Sequence, residues 1–218
     1  ESVLTSKINY SKNIDSNTKF RTDFIAYEDL SKRNNDRFQY ILPNFTFTKN
    51  LELDQNYDGN FRFQSSGFQK NYDTNKYETL LINDFLFESN DYISNKGIKT
   101  NYDLLLKNFN SYTENSTLYN EKEDYEVFGT LLINTSLPLN KITKNGNDYL
   151  KPITSFRYSP NNTKNISNKN KRLSYNNIFA LNRIGTNEIV EGGKSLSLGF
   201  EYEKRNKNDQ KILGFALA

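Results

Sequence analysis

The chain has 218 residues and a net charge of +3, and only 35% of its residues are hydrophobic, with a mean hydropathy of −0.83. It contains no Cys, His, Met or Trp, which excludes disulfides, a thiol nucleophile, Cys/His metal sites and a histidine general base. Such low hydrophobicity often signals disorder, but 15 Tyr and 16 Phe and a small net charge indicate a folded chain. Since no initiator Met is present, we expect the chain to be a piece of a longer protein.

Alternation of apolar and polar side chains predicts β-strands along most of the chain, because successive side chains of a strand point to opposite faces. Two early stretches, near residues 2–12 and 19–29, fit this pattern. They are followed by a strand after Leu42-Pro43 and by another that contains Phe61 and Phe63. The remaining predicted strands cover residues 77–87, 98–106, 125–137, 150–158, 194–203 and 212–217.

The stretch 194–203 shows the cleanest alternation of all. One face is apolar and the other is polar. The apolar face carries Leu196, Leu198, Phe200 and Tyr202, and the polar face carries Ser195, Ser197, Gly199, Glu201 and Glu203.

The segments between the predicted strands are of two kinds. Asp58-Gly59 and residues 206–209 are typical of tight reversals between antiparallel strands. Residues 108–124 and 159–175 are long, polar and predicted to be loops, and Phe179-Ala180-Leu181 is predicted to form one short helical turn. No run of about 18 apolar residues is present, so the sequence contains no transmembrane helix. We therefore predict an all-β, antiparallel fold with about nine to eleven strands.

The apolar faces of these strands suit two environments. A soluble β-sandwich buries them against a second sheet, and a transmembrane barrel turns them towards lipid and keeps polar side chains in its lumen. Short reversals mixed with long polar loops, and Tyr residues near strand ends, favour the transmembrane β-barrel. In a soluble sheet, the same Tyr residues are simply good strand formers.

Several segments resemble the C-terminal barrel region of the LptD family of outer-membrane lipopolysaccharide-assembly proteins, also called organic solvent tolerance proteins. The matching segments are Asn177-Ile178-Phe179 with Asn182-Arg183-Ile184-Gly185, and Glu191-Gly192-Gly193 with Leu198-Gly199-Phe200-Glu201-Tyr202. Further matches are Leu150-Lys151-Pro152, Ser155-Phe156-Arg157-Tyr158-Ser159-Pro160 and the Leu42-Pro43 strand, and the stretch 150–203 is the most specific part. The matching segments lie in the family's order over about the last four-fifths of the chain.

The resemblance implies an integral outer-membrane protein without enzymatic activity or a cofactor. It implies a large antiparallel barrel of which residues 1–218 are part, preceded by a periplasmic domain that is not in this chain. Its partners would be lipopolysaccharide, an LptE-like lipoprotein plug, the periplasmic Lpt bridge components and membrane lipid. Lipopolysaccharide would leave through a lateral opening between the first and last strands. The chain lacks the cysteines that join the two domains in some members.

One group of residues is predicted to form a structural loop motif. Arg183 and Glu191 flank a turn at Gly185, and we expect them to form an ion pair that braces a loop folded back onto the barrel. The alternative is that they contact lipid directly. Gly192-Gly193 is not a phosphate cradle, since neither the spacing of a dinucleotide-binding loop nor a following helix is present. The motif consists of Asn182, Arg183, Gly185, Glu191, Gly192 and Gly193.

Two charged clusters are predicted to be solvated loop residues. Glu121, Glu123 and Asp124 have the chemistry to bind a hard cation, but scattered acids in an Asn-rich loop are mostly solvated. Lys169, Lys171 and Arg172 would attract phosphate. Nucleic acid is not expected, because basic and aromatic residues are not interleaved on one face.

Three hypotheses follow from the sequence. The first is a part of an outer-membrane barrel that places lipopolysaccharide in the outer leaflet, by passage and without a catalytic or metal site. The second is a porin or receptor barrel for small solutes. The third is a soluble β-sandwich that acts as a binding module.

Overall fold

A computed structural model describes residues 2–52, 58–116, 121–162 and 172–218. These residues form β-strands with two short helical turns, a 3₁₀ turn at Asn34–Arg37 and helix α1 at Tyr175–Ile178. The strands are β1 (Val3–Asn13), β2 (Thr18–Asp29), β3 (Phe38–Leu51), β4 (Gly59–Tyr72), β5 (Lys76–Ser89), β6 (Tyr92–Ile93), β7 (Lys99–Glu114), β8 (Lys122–Ser136), β9 (Leu139–Thr143), β10 (Gly146–Ser159), β11 (Gly193–Asn206) and β12 (Lys211–Leu217).

All twelve described strands belong to one sheet, with the order β1-β2-β3-β4-β5-β7-β8-β10-β11-β12. The two short strands lie off this path, where β6 pairs with β7 and β9 pairs with β10. The pairings with a defined register are antiparallel, as in β1–β2, which runs from Val3↔Asp29 to Asn13↔Lys19. The prediction of an all-β antiparallel fold is confirmed, and the ten strands of the main path lie within the predicted number.

Two predictions about local structure are wrong. Residues 108–124 are not one loop, because β7 continues to Glu114 and β8 begins at Lys122. The end of β7 escaped prediction because Asn110 and Tyr112 on one face and Ser111 and Thr113 on the other give little contrast in polarity. The helical turn is Tyr175–Ile178 and not residues 179–181, because Ser174 and Asn177 form a capping box that starts it earlier.

Helices contribute little to the fold. In the part of the chain that the structure describes, no helix is both long enough and apolar enough to cross a membrane.

Pro43 interrupts the regular pairing of β3. The peptide bond between Leu42 and Pro43 is cis, and the register of β3 with β4 shifts between Ile41 and Asn44. Proline has no N–H to donate to the ladder, so it is placed at such irregular positions in a sheet.

The chain divides into two compact units. Unit 1 consists of Glu1–Asp54, Asn60–Leu86 and Leu106–Phe128, and unit 2 consists of Gln55–Gly59, Phe87–Leu105 and Gly129–Ala218.

In unit 1, one face of the sheet is covered by side chains of its own strands. Leu80, Ile82 and Phe109 are buried there. Lys107 is 2% exposed, and its Nζ lies 2.5 Å from Asp84 Oδ1. On β5, the equally buried Glu78 accepts hydrogen bonds from the Tyr72 hydroxyl at 2.8 Å and the Ser116 hydroxyl at 2.5 Å. Charged groups and apolar side chains thus share this face.

The opposite face of each unit exposes large apolar side chains. In unit 1, these include Phe85, Leu106 and Val127, and in unit 2, Leu196 and Leu198 are 67% and 63% exposed. The polar neighbours Ser155 and Ser197 are 2% and 6% exposed. Each unit therefore exposes large apolar side chains on one face and covers polar side chains, together with some apolar ones, on the other.

Candidate functional site

Small side chains mark the polar face of β10 and β11 in unit 2. Ser155 of β10 lies opposite Ser197 of β11, and Arg157 lies opposite Ser195. Gly199, two residues further along β11, is on the same face. Small residues leave space for another part of the chain to approach the strand backbone closely.

The segment that occupies this space is residues 172–192, called here the α1 loop. It begins with the capping box of Ser174 and Asn177, in which the Asn177 Oδ1 accepts from the Ser174 N–H at 2.8 Å. After α1, the ring of Phe179 lies over Gly199, so close that a Cβ at Gly199 would be 2.7 Å from Phe179 Cζ. The glycine in β11 is therefore required for this contact.

Arg157 joins the sheet to the α1 loop. Its Nε donates a hydrogen bond to the Leu181 carbonyl oxygen at 3.0 Å, and its Nη2 donates one to the Glu191 carbonyl oxygen at 2.7 Å. The side chain is 2% exposed. In the sequence, Arg157 is part of a segment that resembles the LptD family, without a role of its own. The only available signal was a cation among serines in mid-strand.

Arg183 and Glu191 contact each other within the α1 loop. Arg183 Nε donates to Glu191 Oε2 at 2.8 Å, and Arg183 Nη2 donates to Glu191 Oε1 at 2.5 Å. A bidentate arginine–carboxylate pair fixes orientation as well as distance. Arg183 is buried, together with the apolar side chains of Ile184 and Val190. The bracing role that the sequence suggested for this pair remains a prediction.

The other residues of the predicted motif form the turn and the end of the α1 loop. Asn182 Oδ1 accepts from the Gly185 N–H at 3.0 Å, and Asn182 Nδ2 donates to the Thr186 carbonyl oxygen at 2.8 Å. Gly185 has a φ of +65° and Gly193 a φ of +98°, a region that side chains disfavour. Gly192 precedes Gly193, at which β11 begins. The structure thus places five of the six predicted residues in the α1 loop, and the sixth, Gly193, is the first residue of the strand that follows it.

A cavity of about 570 Å³ adjoins the α1 loop in unit 2. Tyr175 of α1 is part of its wall, and the Tyr175 hydroxyl donates to Glu201 Oε1 at 2.6 Å. Burial, followed by this contact with Glu201, raises the pKa of the Tyr175 hydroxyl, which lies outside the strands. The charged side chains of the wall are Lys151, Glu201, Glu203, Arg205 and Lys211.

The charges around this cavity are largely paired. Lys151 Nζ lies 3.4 Å from Glu201 Oε2, and Lys211 Nζ lies 3.2 Å from Glu203 Oε2. Arg205 also contacts Glu203. The cavity is therefore polar without a strong excess of either sign, which suits a ligand that carries both hydroxyl and charged groups.

The other predicted clusters do not form a site among the described residues. Glu123 and Asp124 are not in a loop, because they are the second and third residues of β8. Glu121 directly precedes that strand. The described residues contain no group of three or more acidic side chains arranged to hold a metal ion. Lys169 and Lys171 lie outside the described residues. The Arg172 carbonyl oxygen accepts a hydrogen bond from Asn177 Nδ2 at 2.9 Å.

An antiparallel sheet with an exposed apolar face and a covered, charged face is typical of outer-membrane β-barrel proteins. The model of the LptD family, described as LPS transport system D, matches residues 3–217. The chain therefore belongs to this family of outer-membrane proteins. A search of curated proteins finds no match. The LptD family comprises outer-membrane proteins of lipopolysaccharide transport and assembly and is not an enzyme family.

Proposed function

We propose that the chain is part of a single C-terminal outer-membrane barrel domain that inserts lipopolysaccharide into the outer leaflet. The observation that carries this proposal is the amphipathicity of the sheet, in which Leu196 and Leu198 are exposed and Ser197 is covered. Apolar side chains on the outer face contribute favourably only when lipid, and not water, surrounds them. Membership in the LptD family supports lipopolysaccharide as the transported molecule.

The proposed mechanism is passage without covalent chemistry. The polar face would line a lumen that accommodates the sugar-phosphate head group, and the acyl chains would leave sideways into the bilayer. The cavity beside the α1 loop supports this reading, because its tyrosines, cations and carboxylates offer partners to hydroxyl and phosphate groups.

The proposed partners are those of the family. Lipopolysaccharide is the cargo, an LptE-like lipoprotein is the plug, and the periplasmic Lpt bridge components deliver the cargo. Membrane lipid contacts the outer face, and no nucleic acid is involved. The single strand order that runs through the described strands supports one barrel domain as the common framework.

The lipid-facing position of β11 is tested by Leu198→Lys in the full-length protein. A lysine on the lipid face costs about 2–4 kcal/mol near the bilayer midplane, so we expect the variant to assemble poorly in the outer membrane. Leu198→Ala is the control, because it removes the same apolar bulk without adding charge. If Leu198→Lys assembles as well as Leu198→Ala, the outer face does not contact lipid, and a soluble sheet is the better description.

The cargo is tested by depletion of the full-length protein in cells. We expect newly made lipopolysaccharide to stop reaching the cell surface, as measured with an impermeant reagent that modifies surface sugars. Uptake of small hydrophilic solutes is measured in the same cells. Unchanged arrival of lipopolysaccharide together with reduced solute uptake would identify a porin or receptor instead.

A further inference from the structure

We infer that the α1 loop is a lid on the polar face of β10 and β11 and that Arg157 is the positioning residue that holds it closed. This inference rests on the proposed function, because it concerns the path of a polar cargo along that face. It assigns a role to a buried cation that no sequence motif singles out.

Arg157 bonds to two acceptors that lie far apart along the α1 loop. The carbonyl groups of Leu181 and Glu191 stand near the two ends of the segment that contains the Asn182–Gly185 turn. One guanidinium on the sheet therefore ties both ends of this segment at once. Both acceptors are main-chain atoms, so the attachment depends on the conformation of the loop and not on its side chains.

Two further contacts join the α1 loop to the sheet. Phe179 lies over Gly199, and the Tyr175 hydroxyl bonds to Glu201. On the sheet, the neighbouring residues Ser155 and Ser197 are small and buried. The loop is thus joined to the sheet by the hydrogen bonds of Arg157 and Tyr175 and by the contact of Phe179 with Gly199.

The α1 loop also makes contacts within itself. Arg183 forms a bidentate pair with Glu191, and the Gly185 N–H donates to Asn182 in the turn, so neither contact involves the sheet. A braced segment with few ties to the surface beneath it moves as a unit when those ties are lost. Arg157 is the tie that reaches furthest along it.

The α1 loop and the sheet both contribute to the wall of the cavity. Tyr175 and Asn176 of the α1 loop form part of its wall, and Lys151, Glu201 and Arg205 lie on the sheet side. Displacement of the loop would join the cavity to the space above Ser155 and Ser197. A closed lid would restrict the polar face to the cavity, and an open lid would admit a larger phosphorylated sugar.

The test uses the absence of cysteine from the chain. Single cysteines are introduced into the full-length protein at Val190, which is buried in the loop, and at Ser197, which is buried on the sheet. Their reaction with an impermeant maleimide is timed in the native membrane. We expect Arg157→Gln to speed both reactions by about tenfold or more, because labelling follows the population of the open form and each lost bond involves a charged donor.

Three controls and one graded variant define the result. Asn187→Cys, on an exposed loop position, gives the intrinsic reaction rate, and the protein without an added cysteine gives the background. Arg62→Gln removes an exposed arginine in unit 1 and should leave both rates unchanged. Arg157→Lys keeps the charge but cannot form the same pair of bonds, so we expect rates between those of the parent protein and Arg157→Gln.

Glu191→Gln separates the latch from the internal brace. It weakens the pair with Arg183 but leaves the Glu191 carbonyl that accepts from Arg157, so we expect a smaller increase in labelling than with Arg157→Gln. An equal or larger increase would overturn the role assigned to Arg157. If Arg157→Gln does not assemble, the comparison of Arg157→Lys with Glu191→Gln decides the same question.

Labelling also distinguishes this inference from the proposed function. Unchanged labelling of both cysteines in Arg157→Gln would overturn the lid, whatever happens to lipopolysaccharide transport. Faster labelling together with a changed rate of lipopolysaccharide arrival at the surface would support the lid on the cargo path. Faster labelling with unchanged arrival would overturn the claim that the lid controls passage.

Discussion

The covered faces of the two units are filled in different ways. In unit 1, the space is filled by side chains of the strands, with Leu80, Ile82 and Phe109 packed beside the pair of Lys107 and Asp84. In unit 2, the strands carry small residues at Ser155, Ser197 and Gly199, and a separate segment, the α1 loop, lies on them. The same alternating pattern therefore supports a fixed filling in one unit and a removable one in the other.

The buried cations of the two units accordingly bind different kinds of partner. Lys107 neutralises a carboxylate of the neighbouring strand and holds the sheet together. Arg157 donates to two carbonyl groups of the α1 loop and holds a segment that is not part of the sheet. A covered cation is thus structural in both units, but only the second kind is suited to a change of state.

The largest effect is expected for Lys107→Met in unit 1. The change leaves Asp84 without its partner in a largely covered position and should lower the free energy of unfolding by about 3 kcal/mol. Urea titration of the full-length protein in lipid vesicles measures it. Lys99 lies on the same strand as Lys107, in the part that belongs to unit 2, and forms a more exposed pair with Asp91. Lys99→Met should therefore cost at most about 1 kcal/mol. Similar costs for the two variants would show that the face of unit 1 is not tightly filled.

The next largest effect is expected for Gly199→Ala in unit 2. An added Cβ would meet Phe179 Cζ at 2.7 Å and the Leu217 carbonyl oxygen at 2.5 Å, so we expect a loss of about 2 kcal/mol from overpacking. Gly129→Ala is the matched control, because no atom lies within 4 Å of its added Cβ. The same urea titration should show little change for the control. Equal effects would mean that the α1 loop does not press on β11.

A smaller effect is expected for Tyr175→Phe. The variant removes the hydroxyl that donates to Glu201 at 2.6 Å and should weaken the closed position of the α1 loop by about 1 kcal/mol. Limited proteolysis within residues 172–192 measures this locally. Tyr202→Phe, whose hydroxyl makes only a 3.4 Å contact with Asp148, should leave the rate of cleavage unchanged. A faster cleavage of both variants would indicate a general loosening of unit 2.

The smallest effect concerns the pH dependence of unit 1. Hydrogen bonds from Lys32, and then from Lys76, lower the pKa of Asp73 in the turn between β4 and β5. A carboxyl group with a lowered pKa in the folded state contributes stability above its unfolded pKa and loses that contribution as the pH falls through the folded pKa. We expect Asp73→Asn to reduce the loss of stability in acid, as measured by thermal unfolding below pH 4. An unchanged acid profile would show that this turn does not depend on its charge.

The sequence predicted the strands well where the two faces differ in polarity. The stretch 194–203 became part of β11, in which Leu196 and Leu198 are exposed and Phe200 and Tyr202 are half-buried. Prediction failed at the end of β7, where polar residues occur on both faces. It also misplaced the helical turn, because a capping box over four residues has no periodic signal.

For the candidate site, the family resemblance pointed to the six residues of the loop motif, and the structure places five of them in the α1 loop and Gly193 at the start of β11. The sequence assigned no role to Arg157, since the acceptors of that side chain are main-chain carbonyl groups. Any residue type provides such acceptors, so no pattern in the sequence marks them. Gly199 was visible only as a polar-face position, without its contact to Phe179.

The amino-acid sequence by itself determined the strands, the two chemically distinct faces and the family, because alternation and local motifs depend on neighbouring residues. Only the tertiary structure decided what covers the polar face. That covering depends on contacts between residues 20 or more positions apart, such as Arg157 with Leu181 and Glu191. Their geometry follows from the register of β10 and β11 and from the path of the α1 loop, and neither is encoded in any single stretch of the chain.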